Sequence, residues 1–125
     1  MRNKMKRILL VEDDPFLIDI YSQKLRKEGF EVEVISDGEE VLGALQNRKP
    51  DLLILDIVLP RLDGWEILKR INENHHLKDL KIVIISNLGQ KEDIERGQEL
   101  GALKYFIKAH FTPSQVAEEI KKVLK

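Results

Sequence analysis

The chain has 125 residues, 42% hydrophobic and 34% charged, with a net charge of -1. This is enough apolar material for one domain around a single core, and the balanced charge argues against a generally basic nucleic-acid binder. With no cysteine, disulfides and thiolate chemistry are excluded, which fits a reducing compartment.

The opening, Met1-Arg-Asn-Lys-Met-Lys-Arg7, is basic, but the apolar run behind it extends only from Ile8 to Val11. That is too short for the apolar core of a signal peptide, and no stretch is long enough to span a membrane. The expected location is the cytoplasm. There is no linker-like segment, low-complexity run or internal repeat, so residues 1–125 read as one domain.

Lys6 to Val11 reads as a first strand, ending at Glu12-Asp13-Asp14. Asp14-Pro15 is a helix start, with Asp14 as N-cap and proline at the first helical position. Leu17, Ile20, Tyr21 and Leu25 then recur at helical spacing until Gly29. A second strand follows at about Glu31 to Ile35, alternating as an edge strand can. Asp37-Gly-Glu-Glu40 has the pattern of a capping box before a helix whose buried stripe is Val41, Leu42 and Leu45. Leu52 to Leu55 is a continuous apolar run, expected of a strand buried on both faces. Asp56 closes it, and Pro60 and Gly64 turn the chain. Asp63 then caps a helix with Trp65, Leu68 and Ile71 on its buried side. His75-His76 follow that helix without partner ligands at metal spacing, and read as water-facing residues.

Lys81 to Ser86 is a fourth strand, ending in a hydroxyl. Gly89 to Gly101 makes a poor helix, anchored by Ile94 and Leu100. Gly97 weakens it by roughly 1 kcal/mol relative to alanine, so it is expected to be the most mobile helix. The charged run Lys91 to Arg96 reads as a solvated face. The fifth strand, about Leu103 to Ile107, ends at Lys108. Thr112-Pro-Ser-Gln115 forms a capping box for a last helix carrying Val116, Ile120 and Val123.

Five strands alternating with five helices, joined by short connections, predict an α/β doubly wound fold with a parallel sheet covered on both faces. Ligands bind such sheets at the carboxyl edge, where the strand ends place Glu12-Asp13, Asp56, Ser86 and Lys108. Clustered carboxylates repel unless a cation neutralises them, and hard oxygen ligands suit Mg²⁺.

Ile-Leu-Leu-Val-Glu12-Asp13-Asp14, Leu-Leu-Ile-Leu-Asp56, Leu59-Pro60-Arg-Leu-Asp63-Gly64, Ile-Ile-Ser86 and Tyr105-Phe-Ile-Lys108 together resemble the receiver domain of bacterial two-component response regulators, of the stand-alone, chemotaxis-regulator-like kind. The resemblance implies a flavodoxin-like (βα)5 fold with strand order 2-1-3-4-5. It implies a metal, Mg²⁺ or alternatively Mn²⁺, held by Asp13, Asp56 and the backbone carbonyl of Val58, with Glu12 acting through water. Asp56 would accept a phosphoryl group from the histidine of a kinase or phosphotransfer protein. Lys108 would contact the phosphoryl oxygens, Ser86 would move in to bond one of them, and Tyr105 would swing inward. The changed surface of the fourth helix, fifth strand and fifth helix would then be read by a downstream protein. Asp14 and Asp63 read as caps. Such a module transfers a phosphoryl group to itself and is not a turnover enzyme on a separate substrate. Direct nucleic-acid contact and membrane insertion are not expected.

The chain departs from the family in places. Receivers commonly follow the active lysine with proline, often through a cis bond; Ala109 stands here, so the bond is either trans or strained. The residue after the switch hydroxyl is usually small, and Asn87 could crowd access. Leu103-Lys104 replace the acidic residues found before the switch aromatic in a subfamily of DNA-binding receivers, which argues against that subfamily's dimer. Val58 and Leu88 take the two positions that flank the path of attacking water, and both are apolar; slow loss of the phosphoryl group is expected. The alternative function is a degenerate receiver that binds partners without phosphorylation. No Gly-x-Gly-x-x-Gly, Walker loop, Gly-x-Ser-x-Gly or His-Glu-x-x-His favours a cofactor binder or hydrolase.

Overall fold

The computed structural model describes residues 5–124; the first four residues of the basic opening and Lys125 lie outside it. Five parallel strands, β1 (Arg7–Val11), β2 (Glu31–Ile35), β3 (Leu52–Asp56), β4 (Lys81–Ser86) and β5 (Lys104–Ile107), form one sheet in the order β2-β1-β3-β4-β5. Helices α1 (Pro15–Lys27), α2 (Val41–Asn47), α3 (Gly64–Asn72), α4 (Lys91–Glu99) and α5 (Pro113–Leu124) connect them. This is the expected flavodoxin-like topology, with β2 at an edge.

Alternate side chains of the central strands go to opposite faces, so each strand feeds two cores. Ile8, Leu10, Leu52, Ile54, Val83 and Ile85 meet α1 and α5 through Tyr21, Leu25, Val116 and Ile120. Leu9, Val11, Leu53, Leu55, Ile82 and Ile84 meet α2 and α3 through Val41, Leu45, Ile67, Leu68 and Ile71. β3 pairs with β1 and β4 along its length and is buried at every position. That is what its unbroken apolar run required.

Several local expectations need adjustment. Asp37 does not open a capping box: its side chain accepts from the Glu39 N–H at 3.0 Å, starting a tight turn over Gly38–Glu40 before α2. With the side chain taken by Glu39 and the Asp37 carbonyl accepting from the Glu40 N–H, the chain makes a three-residue turn that runs directly into α2. On α3, Trp65 is only half-buried, and Ile67 takes the core position assigned to it. Leu17, Ile20, Leu42 and Val123 are likewise half-buried, while Ala117 and Leu124 complete the buried face of α5. His75 and His76 sit in a separate turn, Asn74-capped and exposed.

α4 differs most. Ile94 and Leu100 are half-buried, and the helix's one buried residue is Gly97. A Cβ at Gly97 would lie 2.8 Å from Ile84 Cδ1 and 3.0 Å from Tyr105 Cδ2, so glycine is there for close approach to the sheet. The charged run before it is not wholly solvated. Asp93 accepts the Gln90 N–H at 3.1 Å, and the Arg96 guanidinium lies 4.4 Å from the centre of the Trp65 ring. The other expected caps form: Asp14 accepts from Phe16 and Leu17, Asp63 from Glu66, and Thr112 and Gln115 bond each other's backbone.

Candidate functional site

Parallel pairing brings the strand ends level. Val11 is opposite Leu55, Asp56 opposite Ile85, and Ser86 opposite Ile107, so the next residue in each chain projects at one edge. Glu12, Asp13, Asp14, Asp56, Val58, Asn87 and Lys108 line one pocket there. Glu12, Asp13 and Asp56 each bring a carboxylate oxygen within 4.8 Å of the others. All the expected site residues except Ser86 and Tyr105 therefore line the pocket, and those two bond Leu88 in the β4–α4 loop.

The electrostatics follow from burial. Glu12 is 0% and Asp56 3% exposed; two carboxylates withdrawn from water this closely need a cation. Lys108 supplies one: its Nζ lies 2.8 Å from Glu12 Oε1 and 2.9 Å from Asp56 Oδ2. The second Glu12 oxygen accepts the backbone N–H groups of Asp13 and Asp14 at 3.2 and 3.1 Å. Burial raises the Glu12 carboxyl above its usual range and the Asp56 charge adds to this, while Lys108 and the Asp14 N–H pull the other way. For Lys108, burial opposes the charge, but the contacts with Glu12 and Asp56 outweigh it and hold the ammonium above its ordinary value. Ala109 does not misplace the lysine. No described peptide bond is cis, and the Lys108 N–H is fixed by a 2.8 Å bond to the Ser86 carbonyl.

Ser86 is fully buried, its Oγ accepting the Leu88 N–H at 3.1 Å. The Tyr105 hydroxyl donates to the Leu88 carbonyl, so both groups hold the same β4–α4 loop. Val58 donates its N–H to Asp56 Oδ1 at 3.3 Å, and its side chain is exposed. Asn87 is exposed and lines the same pocket as Asp56.

The donor set fits a hard divalent cation. Its three carboxylates converge, and buried Glu12 Oε1 has no hydrogen-bond donor, only the ionic contact with Lys108. Sequence reasoning missed the direct Glu12–Lys108 pair. The resemblance gives Glu12 a role through water, whereas its pair with Lys108 joins residues at the ends of β1 and β5, which a strand-end pattern does not show.

A buried carboxylate pair bridged by lysine, with the Asp13 carboxylate beside it, thus lies at the carboxyl edge of a 2-1-3-4-5 sheet, where open α/β folds bind ligands. The chain belongs to the response regulator receiver domain family of two-component systems, whose model matches residues 8–121. It is 34% identical over 120 residues to the alkaline phosphatase synthesis transcriptional regulatory protein PhoP of Bacillus subtilis, covering 96% of this chain and 49% of that one. The chain thus spans about half the length of the curated relatives it matches. Among solved structures, a CheY-like response regulator receiver domain protein from Methanospirillum hungatei superposes with a TM-score of 0.86 at 30% identity, over 97% of this chain and 94% of that one. The phosphorylated cyanobacterial phytochrome response regulator RcpA gives 0.82 at 29%, over 96% and 91%.

Proposed function

We propose that Asp56 is the phosphoacceptor, taking a phosphoryl group from a phosphohistidine of a kinase or phosphotransfer protein in a reaction that needs Mg²⁺ or Mn²⁺. The observation that carries this is Lys108 bridging Glu12 and Asp56 at the buried strand ends. Asp56 Oδ1 or Oδ2 attacks phosphorus in line; an O–P bond forms as the donor's N–P bond breaks, and the imidazole leaves. Such a transfer depends on positioning and charge stabilisation and needs no separate base. Glu12, Asp13, Asp56 and the Val58 carbonyl would hold the cation, which supplies neutralising charge to the phosphoryl oxygens. Lys108 exchanges one carboxylate contact for a phosphoryl oxygen and remains a point charge.

Ser86 Oγ gives up the Leu88 N–H and donates its own proton to a second phosphoryl oxygen. Because Tyr105 is tied to the Leu88 carbonyl, moving this loop toward Asp56 draws the tyrosine inward. The surface of α4, β5 and α5 changes with it, and a downstream protein reads the change.

The test uses Trp65, whose helix is capped by Asp63 just beyond the site loop. Mg²⁺ should change its fluorescence. A small phosphoryl donor or beryllofluoride should change it again, and the donor should add one phosphoryl group to the intact mass. Asp56→Asn should abolish the donor response and the added mass. A metal response with no phosphoryl gain in the wild type would instead identify a partner-binding module that is not phosphorylated.

A further inference from the structure

The loop from β3 to α3 carries Val58, and its shape is set by an element that the site does not otherwise use. Within it the Leu62 N–H donates to the Pro60 carbonyl at 2.8 Å, across Arg61, whose φ is 68°. A bond between residues two apart around a positive φ is the pattern of the rarer γ-turn, which is strained for any residue with a Cβ. Glycine takes that conformation freely, and Asn or Asp are its usual substitutes; arginine has no intrinsic preference for it.

The arginine side chain is tied down. Its Nη1 lies 3.2 Å from Asp37 Oδ2, while Asp37 Oδ1 accepts the Glu39 N–H, so both oxygens of Asp37 are engaged. Beside it Gly38 is buried, and a Cβ there would fall 1.8 Å from the Leu62 carbonyl oxygen. The β2–α2 and β3–α3 loops therefore meet backbone to backbone at Gly38–Leu62, and side chain to side chain at Asp37–Arg61. The base of the turn is closed by the Gly64 N–H bonding the Ile57 carbonyl at 2.7 Å. An exposed ion pair adds little to global stability, so stability does not account for a strained arginine here. Strain of this kind is kept where the surrounding structure fixes a local geometry.

The geometry points to Arg61 as a positioning residue: its pair with Asp37 clamps the β3–α3 loop onto the β2–α2 loop and presets the backbone at Val58 for a divalent cation. The metal half of this rests on the receiver reading; the clamp is a property of the metal-free fold. Arg61 does not line the pocket, so it acts through the loop.

Charge and positioning predict opposite signs for Arg61. By charge alone, removing a cation near an acidic pocket tightens Mg²⁺ binding, and removing an acid at Asp37 weakens it. A clamp makes both substitutions weaken it. Arg61→Ala and Asp37→Asn should each raise the Mg²⁺ midpoint of the Trp65 fluorescence titration about tenfold, the lower end of what outer partners contribute to a metal site. The double variant should be no worse than the weaker single one, and Arg61→Lys should restore most of the affinity. Asp37→Asn keeps an oxygen for the Glu39 N–H, so the start of α2 survives.

In metal-free protein, amide exchange at Leu62 should accelerate in both single variants while β3 stays protected. Equal or tighter Mg²⁺ binding by Arg61→Ala, or unchanged exchange at Leu62, would overturn the proposal. A wild-type protein that ignores Mg²⁺ would overturn the receiver reading and the metal half together, and Leu62 exchange would still decide the clamp.

Discussion

Lys108 shows how a single side chain sets the state of the site. Its ammonium is the cation shared by both buried carboxylates, 2.8 Å from Glu12 Oε1 and 2.9 Å from Asp56 Oδ2. Its proton is held more tightly in the folded chain than in the unfolded one. The stabilisation is therefore fully present below the ordinary lysine value of 10.5 and is lost as pH rises through the higher folded value. Lys108→Met should cost about 1–3 kcal/mol near neutral pH, the penalty for stranding buried polar partners. Urea midpoints of the two proteins should converge as pH rises beyond the lysine range. A gap unchanged up to that point and past it would mean that only the packing of the lysine stem mattered. Mg²⁺ should recover part of the loss, because it supplies the missing charge.

The same scale governs the lifetime of the phosphorylated form. Val58 is 60% exposed at the pocket rim and Leu88 is half-buried, with its N–H and carbonyl taken by Ser86 and Tyr105. Neither side chain can hold a water for attack. Val58→Asn with Leu88→Glu should speed loss of the phosphoryl group by about tenfold or more, a small share of what a placed polar group can supply. Unchanged decay, followed by intact mass after the donor is removed, would place the control of lifetime elsewhere.

At the scale of elements, α4 sets helix propensity against packing. Gly97→Ala gains roughly 1 kcal/mol of intrinsic helicity, but the new methyl meets the fully buried Ile84 and the Tyr105 ring. Overpacking a filled core costs about 1–3 kcal/mol, so the substitution should be destabilising by about 1 kcal/mol and should disturb the near-ultraviolet signal of Tyr105. A variant more stable than the parent would show that the Ile84 tip moves aside freely.

This helix also marks what the sequence could and could not reveal. Apolar runs closed by an acid, a hydroxyl and a lysine made the strand ends legible, because the pattern of a buried parallel strand is local. Caps at Asp14, Asp63 and Thr112 were legible for the same reason. In the sequence Gly97 reads only as a weakness, since its neighbours, Ile84 and Tyr105, arrive from other elements. Trp65 reads as inward-facing because it is apolar and correctly spaced, yet Arg96 from α4 covers one side of it. The Asp37–Arg61 and Glu12–Lys108 pairs likewise join residues far apart in the chain. Periodicity names the face a residue lies on; it does not name what meets that face.

At the scale of the whole molecule, the site lies where three strands end together. Glu12 follows β1, Asp56 ends β3 and Lys108 follows β5, while each strand is also packed into the cores on both faces of the sheet. A cation held by groups from β1 and β3 therefore couples its binding to the sheet, because the site exists only while those two central strands stay paired. Binding to the folded state alone stabilises it by about 2.7 kcal/mol at a hundredfold excess over the dissociation constant. For a chain of this size that corresponds to roughly 10 °C in Tm. Mg²⁺ should shift a single cooperative transition upward by that order, measured by calorimetry at constant ionic strength. The shift should vanish in Asp13→Asn combined with Asp56→Asn, which removes two of the three carboxylates. If instead Mg²⁺ split the transition, or moved only the exchange of the site loops and left the β3 amides unchanged, then the carboxyl edge would be able to open independently of the sheet that builds it.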